Sequence, residues 1–151
     1  MVANRDSGNA PIWDSIIRTV HWDLVHAYNT SLPGWLVLVA RRHLTAIEQL
    51  SDDEAGELGV LLRDVSTALG QAVGCVKTYV VQFAEAVDHP HVHFHIVPRM
   101  ADQPEAFKGP NVFRYLGVEE SQRVSDSTMS ALAPKIRAAL ATHVSARQPL
   151  P

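Results

Sequence analysis

The segment DHPHVHFHIVPR, residues 88–99, places histidines at every second position and contains four of the eight histidines of the chain. Side chains alternate between the two faces of a β-strand. His91, His93 and His95 would therefore share one face, and the apolar residues between them would share the other. Such a strand would hold three imidazole rings a few ångströms apart, facing a cleft or solvent.

Three interpretations of this histidine strand compete. Histidines without any role are disfavoured, because three of them stand in strict register. A metal site is the second interpretation, since imidazole nitrogens on one strand can bind Zn²⁺, with Glu85, Asp88 or His89 as a further ligand. The third is covalent catalysis at phosphorus, in which one ring attacks while its neighbours bind the phosphate oxygens and handle the proton of the leaving group.

Imidazole suits the third role because its ordinary pKa is about 6.5. Near neutral pH, one ring can be a neutral nucleophile while an adjacent ring donates a hydrogen bond. A positive charge on one ring also disfavours a charge on the next ring. We therefore expect the three rings to titrate as a coupled set.

Residues 91–97, His-Val-His-Phe-His-Ile-Val, resemble the His-φ-His-φ-His-φ-φ signature of the histidine triad (HIT) proteins, in which φ is an apolar residue. The resemblance extends from about Trp22 to Arg99. LPGWLVLVARRH is similar to the family's Pro-Gly-His strand with its basic end, and the helix after Ser51 is similar to the family's long helix. The resemblance implies an α+β fold with a five-stranded antiparallel sheet and two main helices, and a homodimer with a joined sheet.

The resemblance also implies a hydrolase or nucleotidyl transferase that acts at the α-phosphate of a nucleoside phosphoramidate or dinucleoside polyphosphate. His93 would be the nucleophile and would form a nucleotidyl-histidine intermediate. His95 would contact the phosphate oxygens, and His91 would orient the neighbouring ring and the leaving group. This chemistry requires no metal or other cofactor, although zinc could bind adventitiously at the histidine cluster.

Six further residues are candidates for substrate binding. They are Gln82, Asn29, Trp35, Asp88, His89 and Arg99. Gln82 and Asn29 resemble family positions that contact phosphate or ribose. Trp35 stands where the family commonly has a histidine; because an indole donates but cannot accept a hydrogen bond, we expect it to form a pocket wall or part of the core.

The remaining candidates adjoin the triad in sequence. Val87 and Asp88 stand where many family members have Gln followed by Ser or Thr, which leaves the leaving-group preference open. His89 extends the alternation by one step, and Arg99 is a nearby basic residue that could balance phosphate charge. His43, after a basic pair, is expected to be structural and to lie outside the site.

Local patterns predict the strands that surround the histidine strand. SIIRTV and WDLVHAY predict a hairpin across His21, and WLVLVA predicts a central strand. CVKTYVVQFA predicts the strand that precedes the histidine strand. Strands joined mostly by short turns favour an antiparallel sheet with the helices on one face.

The helices are predicted from their ends and their periodicity. Ser51 and Glu54 form a capping-box pattern, apolar residues then recur every three or four positions, and Gly74 supplies the stop. A second helix is predicted from the N-cap Ser125, kinked or split at Pro134. Residues 100–117 show no periodicity and are predicted to be loop.

The length and composition indicate one globular domain. The chain has 151 residues, of which 46% are hydrophobic and 19% are charged. We assign residues 12–145 to a single domain, residues 1–11 to a disordered tail and residues 146–151 to a flexible tail. Cys75 is the sole cysteine, which excludes an internal disulfide and a zinc site made of several thiolates.

Charge and hydropathy limit the partners. A net charge of −3 does not suggest binding to long nucleic acids, so the expected partner is a small nucleotide. We find neither an apolar run of about 20 residues nor a secretory signal, and expect no membrane association and a cytoplasmic location. A sugar-nucleotide transferase, a nucleotide sensor without turnover and a His-rich metal-binding module remain the alternatives.

Overall fold

The computed structural model describes residues 5–85 and 90–145. The fold is built on one antiparallel sheet of five strands in the order β1-β2-β3-β5-β4. The strands are β1 (Ile17–Arg18), β2 (Trp22–His26), β3 (Leu36–Ala40), β4 (Lys77–Val81) and β5 (His93–Arg99). The two long helices are α1 (Asp52–Val73) and α2 (Asp126–Ser145). The predicted α+β fold is confirmed, as are the β1–β2 hairpin and the central position of β3.

The register between β3 and β5 sets the two faces of the sheet. Val37 pairs with His95 and Val39 pairs with His93, so the histidines project to the same side as these valines. The alternate side chains of both strands, Phe94 among them, are buried against the helices. The predicted separation of the histidines from the intervening apolar residues is therefore confirmed for β5.

The main core lies between the sheet and the two helices. Trp22 and Phe94 meet edge to face in this core, with ring centroids 5.9 Å apart. Burial of one apolar face from each helix against one face of the sheet is what holds the layers together. The largest fully buried aliphatic side chains of this core are Ile16, Leu24, Leu36, Leu38, Leu44, Leu69, Ile96 and Ile136.

Helix α1 begins and ends as its sequence predicts. The Ser51 hydroxyl accepts a hydrogen bond from the Glu54 amide, and the Glu54 carboxylate accepts one from the Ser51 amide. Gly74 follows the last turn in the left-handed conformation, with φ 70°. The Arg42 guanidinium beside Glu54 lowers the pKa of that carboxyl to about 2, which keeps the ion pair at the helix start charged.

Of the two outcomes predicted for Pro134, a split of helix α2 does not occur, and a kink stays a prediction. The helix runs from Asp126 to Ser145 with Pro134 inside it. Proline removes one backbone hydrogen bond from a helix. Pro134 is exposed whereas Ala133 and Ile136 are buried, so the interruption lies on the solvent side and the packed face is continuous.

The segment 100–117, predicted to be loop, contains two 3₁₀-helices, Glu105–Phe107 and Gly109–Tyr115. Their turns are too short to produce a periodic pattern in the sequence. Val112 is buried in a second apolar cluster with Trp35 and Val97, on the histidine side of the sheet. This segment therefore covers part of the face from which the imidazoles project.

The division of the chain into a domain and two tails stays a prediction. Residues 1–4 and 146–151 lie outside the described residues. Within the predicted N-terminal tail, the Arg5 guanidinium binds the Asp14 carboxylate at 2.6 Å, and both side chains are buried. No helix in residues 5–85 and 90–145 is long and apolar enough to span a membrane.

Candidate active site

The backbone around β5 fixes the three histidines. Strand β5 begins at His93, two residues later than the sequence predicts. The preceding residue, Val92, still bonds through its backbone to Ala40 and Leu44, and its side chain is fully buried. The alternation therefore continues back to His91, although that residue precedes the strand.

His93 has one ring nitrogen committed to the backbone. Its Nδ1 lies 2.7 Å from the carbonyl oxygen of His91. A carbonyl can only accept, so Nδ1–H is the donor and the lone pair of the neutral ring lies on Nε2. The His93 side chain is half-buried. This arrangement leaves Nε2 as the nitrogen that can act as a nucleophile.

His95 has the opposite tautomer. The indole Nε1–H of Trp35 donates to His95 Nδ1 at 3.0 Å, so the proton of the neutral His95 ring lies on Nε2. The His93 and His95 ring centroids are 4.9 Å apart and the ring planes are 84° apart. Burial, and to a smaller extent the nearby His93, lower the pKa of His95 to about 4, so this ring is neutral at pH 7.

His91 is held by two partners on the other side of the nucleophile. Its Nε2–H donates to the carbonyl oxygen of Ala40 at 2.6 Å, and its Nδ1 lies 3.0 Å from Nδ1 of His43. The His91 and His43 rings are stacked, with centroids 5.2 Å apart. The two facing Nδ1 atoms can share only one proton, so one of them donates and the other accepts.

His43 was expected to lie outside the site, but the structure places it directly against the triad. Its position after the basic pair is a local signal, whereas its contact with His91 depends on how β3 and β5 pair. The signal in the sequence is a histidine that follows, three residues later, a strand paired with the histidine strand.

Two aromatic side chains near the triad were not identified from the sequence. The half-buried Phe113 ring lies 5.4 Å from the His95 ring, and the exposed Phe83 ring lies 5.4 Å from Phe113. An open, largely apolar cavity of about 670 Å³ adjoins both rings. Phe113 comes from the segment predicted to be loop, which explains why sequence patterns did not connect it with the site.

The other predicted binding residues lie at different distances from the triad. Gln82 is half-buried just after β4, whose last residue, Val81, pairs with His95. The carbonyl of Asn29 accepts hydrogen bonds from Gly117 and Val118, which anchors the end of the covering segment.

Arg99 lies at the far end of β5, four residues from His95 and thus about 13 Å along the strand. The structure does not bring Arg99 to the imidazoles. Asp88 and His89 lie outside the described residues, as does Val87.

The arrangement of these side chains bears on the metal-site interpretation. In residues 5–85 and 90–145, no three His, Cys, Asp or Glu residues are arranged to hold a metal ion. Two of the three side chains proposed as a further zinc ligand, Asp88 and His89, are not among those residues, and the third, Glu85, is exposed. The expectation of chemistry without a cofactor stays a prediction.

Comparison with solved structures supports the fold. A hypothetical histidine triad nucleotide-binding protein from Sulfolobus tokodaii superimposes with a TM-score of 0.70 at 15% identity, covering 93% of this chain and 91% of that chain. A Zn-bound histidine triad family protein from Mycobacterium smegmatis gives 0.65 at 16%, covering 93% and 92%. A diadenosine triphosphate hydrolase from Plasmodium falciparum gives 0.64 at 16%, covering 85% and 77%.

Comparison of the sequence with protein-family models identifies the family of this chain. No curated protein sequence matches this chain. The family model of the HIT domain, however, matches residues 14–102, which is more than half of the chain and includes all three imidazoles. The chain therefore belongs to the HIT domain family.

Proposed function

We propose that the chain is a hydrolase or nucleotidyl transferase that cleaves a nucleoside phosphoramidate or a dinucleoside polyphosphate at its α-phosphate. The observation that carries the proposal is the bond from His93 Nδ1–H to the carbonyl of His91, which leaves Nε2 with the lone pair. His93 is half-buried, so its Nε2 lies on a ring that a substrate can reach.

The reaction proceeds in two displacements at phosphorus. Nε2 of His93 attacks the α-phosphorus, the N–P bond forms, and the bond from phosphorus to the leaving nitrogen or oxygen breaks with its electron pair. The leaving group takes up a proton. Water or another acceptor then attacks phosphorus and loses a proton, the N–P bond breaks, and His93 regains its lone pair.

The surrounding hydrogen bonds support this sequence. When Nε2 bonds to phosphorus, the His93 ring becomes cationic and its Nδ1–H bond to the His91 carbonyl becomes charge-assisted and stronger. His95 offers an N–H donor next to this ring, where negative charge builds up on the phosphate oxygens. His91, held by Ala40 and His43, orients the backbone carbonyl that accepts the hydrogen bond from His93 Nδ1–H.

Similar structures support the substrate class. One related structure is a diadenosine triphosphate hydrolase, and another is described as a nucleotide-binding protein. Both share the sheet and helices of this chain at less than 20% identity. Within the proposal, the substrate of this chain is a small nucleotide.

The proposed assembly is a homodimer, and the proposed location is a reducing cytoplasm. Strand β4 is one edge of the sheet, and Val76, Val80 and Phe83, on or next to it, are exposed. An exposed apolar edge strand is suited to pairing with a second copy. The sole cysteine, Cys75, is free, which fits a reducing compartment.

The test is a panel of nucleoside phosphoramidates and dinucleoside polyphosphates. We expect the wild type to release a nucleoside monophosphate and His93→Ala to fall to background while it remains folded. His21→Ala is the matched control. His21 lies in the turn between β1 and β2, where its ring bonds to Glu57 of α1 and not to the triad. The variant should retain wild-type turnover.

Three results would contradict the proposal. Full turnover by His93→Ala would reject His93 as the nucleophile. Tight nucleotide binding by the wild type without turnover on any substrate would favour the sensor. Stoichiometric zinc, with activity lost to a chelator, would favour a metal-dependent site.

A further inference from the structure

We propose that Trp35 is a positioning residue that locks His95 in its Nε2–H tautomer, so that His95 presents a hydrogen-bond donor to the substrate and never a lone pair. This inference rests on the proposed function. It gives a task to a side chain that takes no part in the bond changes.

The position of the indole is fixed by its surroundings. Trp35 is fully buried. It packs among the second apolar cluster with Val97 and Val112, and its ring meets Phe113 edge to face at 5.3 Å. The ring plane is 87° from that of His95, with centroids 5.7 Å apart. A side chain so enclosed cannot turn its N–H away from His95 without repacking the cluster.

The indole can act only as the donor in its hydrogen bond to His95. Tryptophan donates one hydrogen bond and accepts none, and it does not titrate between pH 2 and 12. Nδ1 of His95 must therefore accept. A histidine at position 35 could donate, accept or become charged, and would leave the tautomer of His95 open.

In the part of the chain that the structure describes, the residues that pair with His95 or pack on its ring from other elements carry no charge. Among the described residues, β3 contributes Trp35 and Val37, β4 contributes Val81, and the 3₁₀-helix contributes Phe113. His93, on the same strand, is the titratable neighbour. A second proton on His95 would have to sit on Nδ1, against the indole N–H.

This lock restricts what His95 can do in the reaction. Loss of the Nε2 proton from a neutral ring would leave an imidazolate, which is inaccessible near neutral pH. His95 therefore binds the phosphate oxygens through its N–H and is not the proton donor for the leaving group. His93 and His95 have opposite tautomers because a carbonyl fixes one and an indole fixes the other.

The first test measures the tautomer directly. Long-range ¹H–¹⁵N correlation spectra of the substrate-free protein should show His95 protonated at Nε2 and not at Nδ1. Trp35→Phe removes the N–H, and we expect its His95 to show both tautomers. Trp22→Phe is the matched control, because Trp22 is also fully buried and its Nε1–H donates to the Glu54 carbonyl at 3.2 Å, on the opposite face of the sheet.

The second test measures turnover. We expect Trp35→Phe to lower kcat at least about ten-fold relative to Trp22→Phe. Loss of a residue that orients a metal-binding or catalytic histidine commonly lowers activity by this factor or more. Trp35→His, which can again donate from a ring nitrogen, should recover part of the loss.

The outcomes separate this inference from the proposed function. The spectra need no substrate, so they test the lock even if no tested nucleotide is cleaved. An Nδ1-protonated His95 in the wild type would overturn the inference, including in the case where Trp35→Phe fails to fold. An unchanged single tautomer in Trp35→Phe, or a kcat equal to that of Trp22→Phe, would also overturn it.

Discussion

A backbone carbonyl fixes the tautomer of His93, an indole fixes that of His95, and backbone groups fix that of His26, away from the triad. Its Nδ1–H donates to the Ala27 carbonyl at 2.8 Å, and its Nε2 accepts from the Gly34 amide at 2.9 Å. Both nitrogens are satisfied only when the ring is neutral. Burial lowers the pKa of His26 to about 4, and the side chain is 1% exposed.

Because the pKa of His26 is lowered in the folded state, we expect the protein to lose stability in acid. The unfolded chain has the ordinary pKa of 6.5 and the folded chain about 4, so between these values only the unfolded state takes up the proton. The contribution of His26 to the free energy of unfolding should be complete above pH 6.5. It should fall by up to about 3 kcal/mol as the pH drops to 4. Urea unfolding at a series of pH values measures this.

A variant isolates the contribution of His26. His26→Gln supplies a donor and an acceptor but cannot titrate. We expect its free energy of unfolding to change less between pH 6.5 and 4 than that of the wild type. Part of the slope should remain, because the pKa of His95 is also lowered to about 4. Identical slopes for the two proteins would contradict the account.

At the scale of the elements, Gly34 sets how closely β3 approaches α1. Its φ is +85°, and a Cβ atom there would lie 3.1 Å from Val73 Cγ1 and 3.2 Å from Leu69 Cδ1. Both the backbone conformation and the space therefore favour glycine. The next residue is Trp35, so this turn also positions the indole that binds His95.

Two glycine substitutions should have opposite effects on stability. Gly34→Ala adds the strain of the left-handed conformation and two close contacts, and should lower the free energy of unfolding by at least about 1–2 kcal/mol. Gly59→Ala lies inside α1 with open space around it and should raise the value by about 0.5–1 kcal/mol. Denaturant unfolding compares them, and a neutral Gly34→Ala would refute the close approach.

Local patterns predict much of this architecture, and contacts between elements explain the rest. The capping box at Ser51, the stop at Gly74 and the shared face of the histidines each depend on neighbouring residues in the sequence. The bond from Trp35 to His95 joins residues 60 positions apart and exists only in the observed β3–β5 register. For the same reason, sequence patterns placed His43 outside the site.

For the whole molecule, the unpaired edge at β4 is the feature with the clearest consequence. Val80 is 44% exposed on this edge and Phe83, just after it, is 58% exposed. The opposite edge, β1, has only two residues. A second copy that pairs along β4 would extend the sheet and bury these side chains.

Substitution on this edge should separate the copies. We expect the wild type to sediment as a dimer and Val80→Lys as a monomer, because a lysine in the joined edge would lose its hydration. Val20→Lys is the control: Val20 is 73% exposed in the β1–β2 turn, and its replacement should leave the dimer intact. A wild type that is monomeric at all concentrations would contradict the proposed assembly.

The central claim is that Nε2 of His93 forms a bond to phosphorus. Mixing the protein with a nucleoside phosphoramidate, quenching within the first turnovers under alkaline denaturing conditions and measuring the mass of its peptides tests this claim most directly. We predict a nucleoside phosphoryl group on the peptide that contains His93, absent from His93→Ala. Turnover of the same substrate with no adduct on that peptide, and with His93→Ala as active as the wild type, would contradict the account.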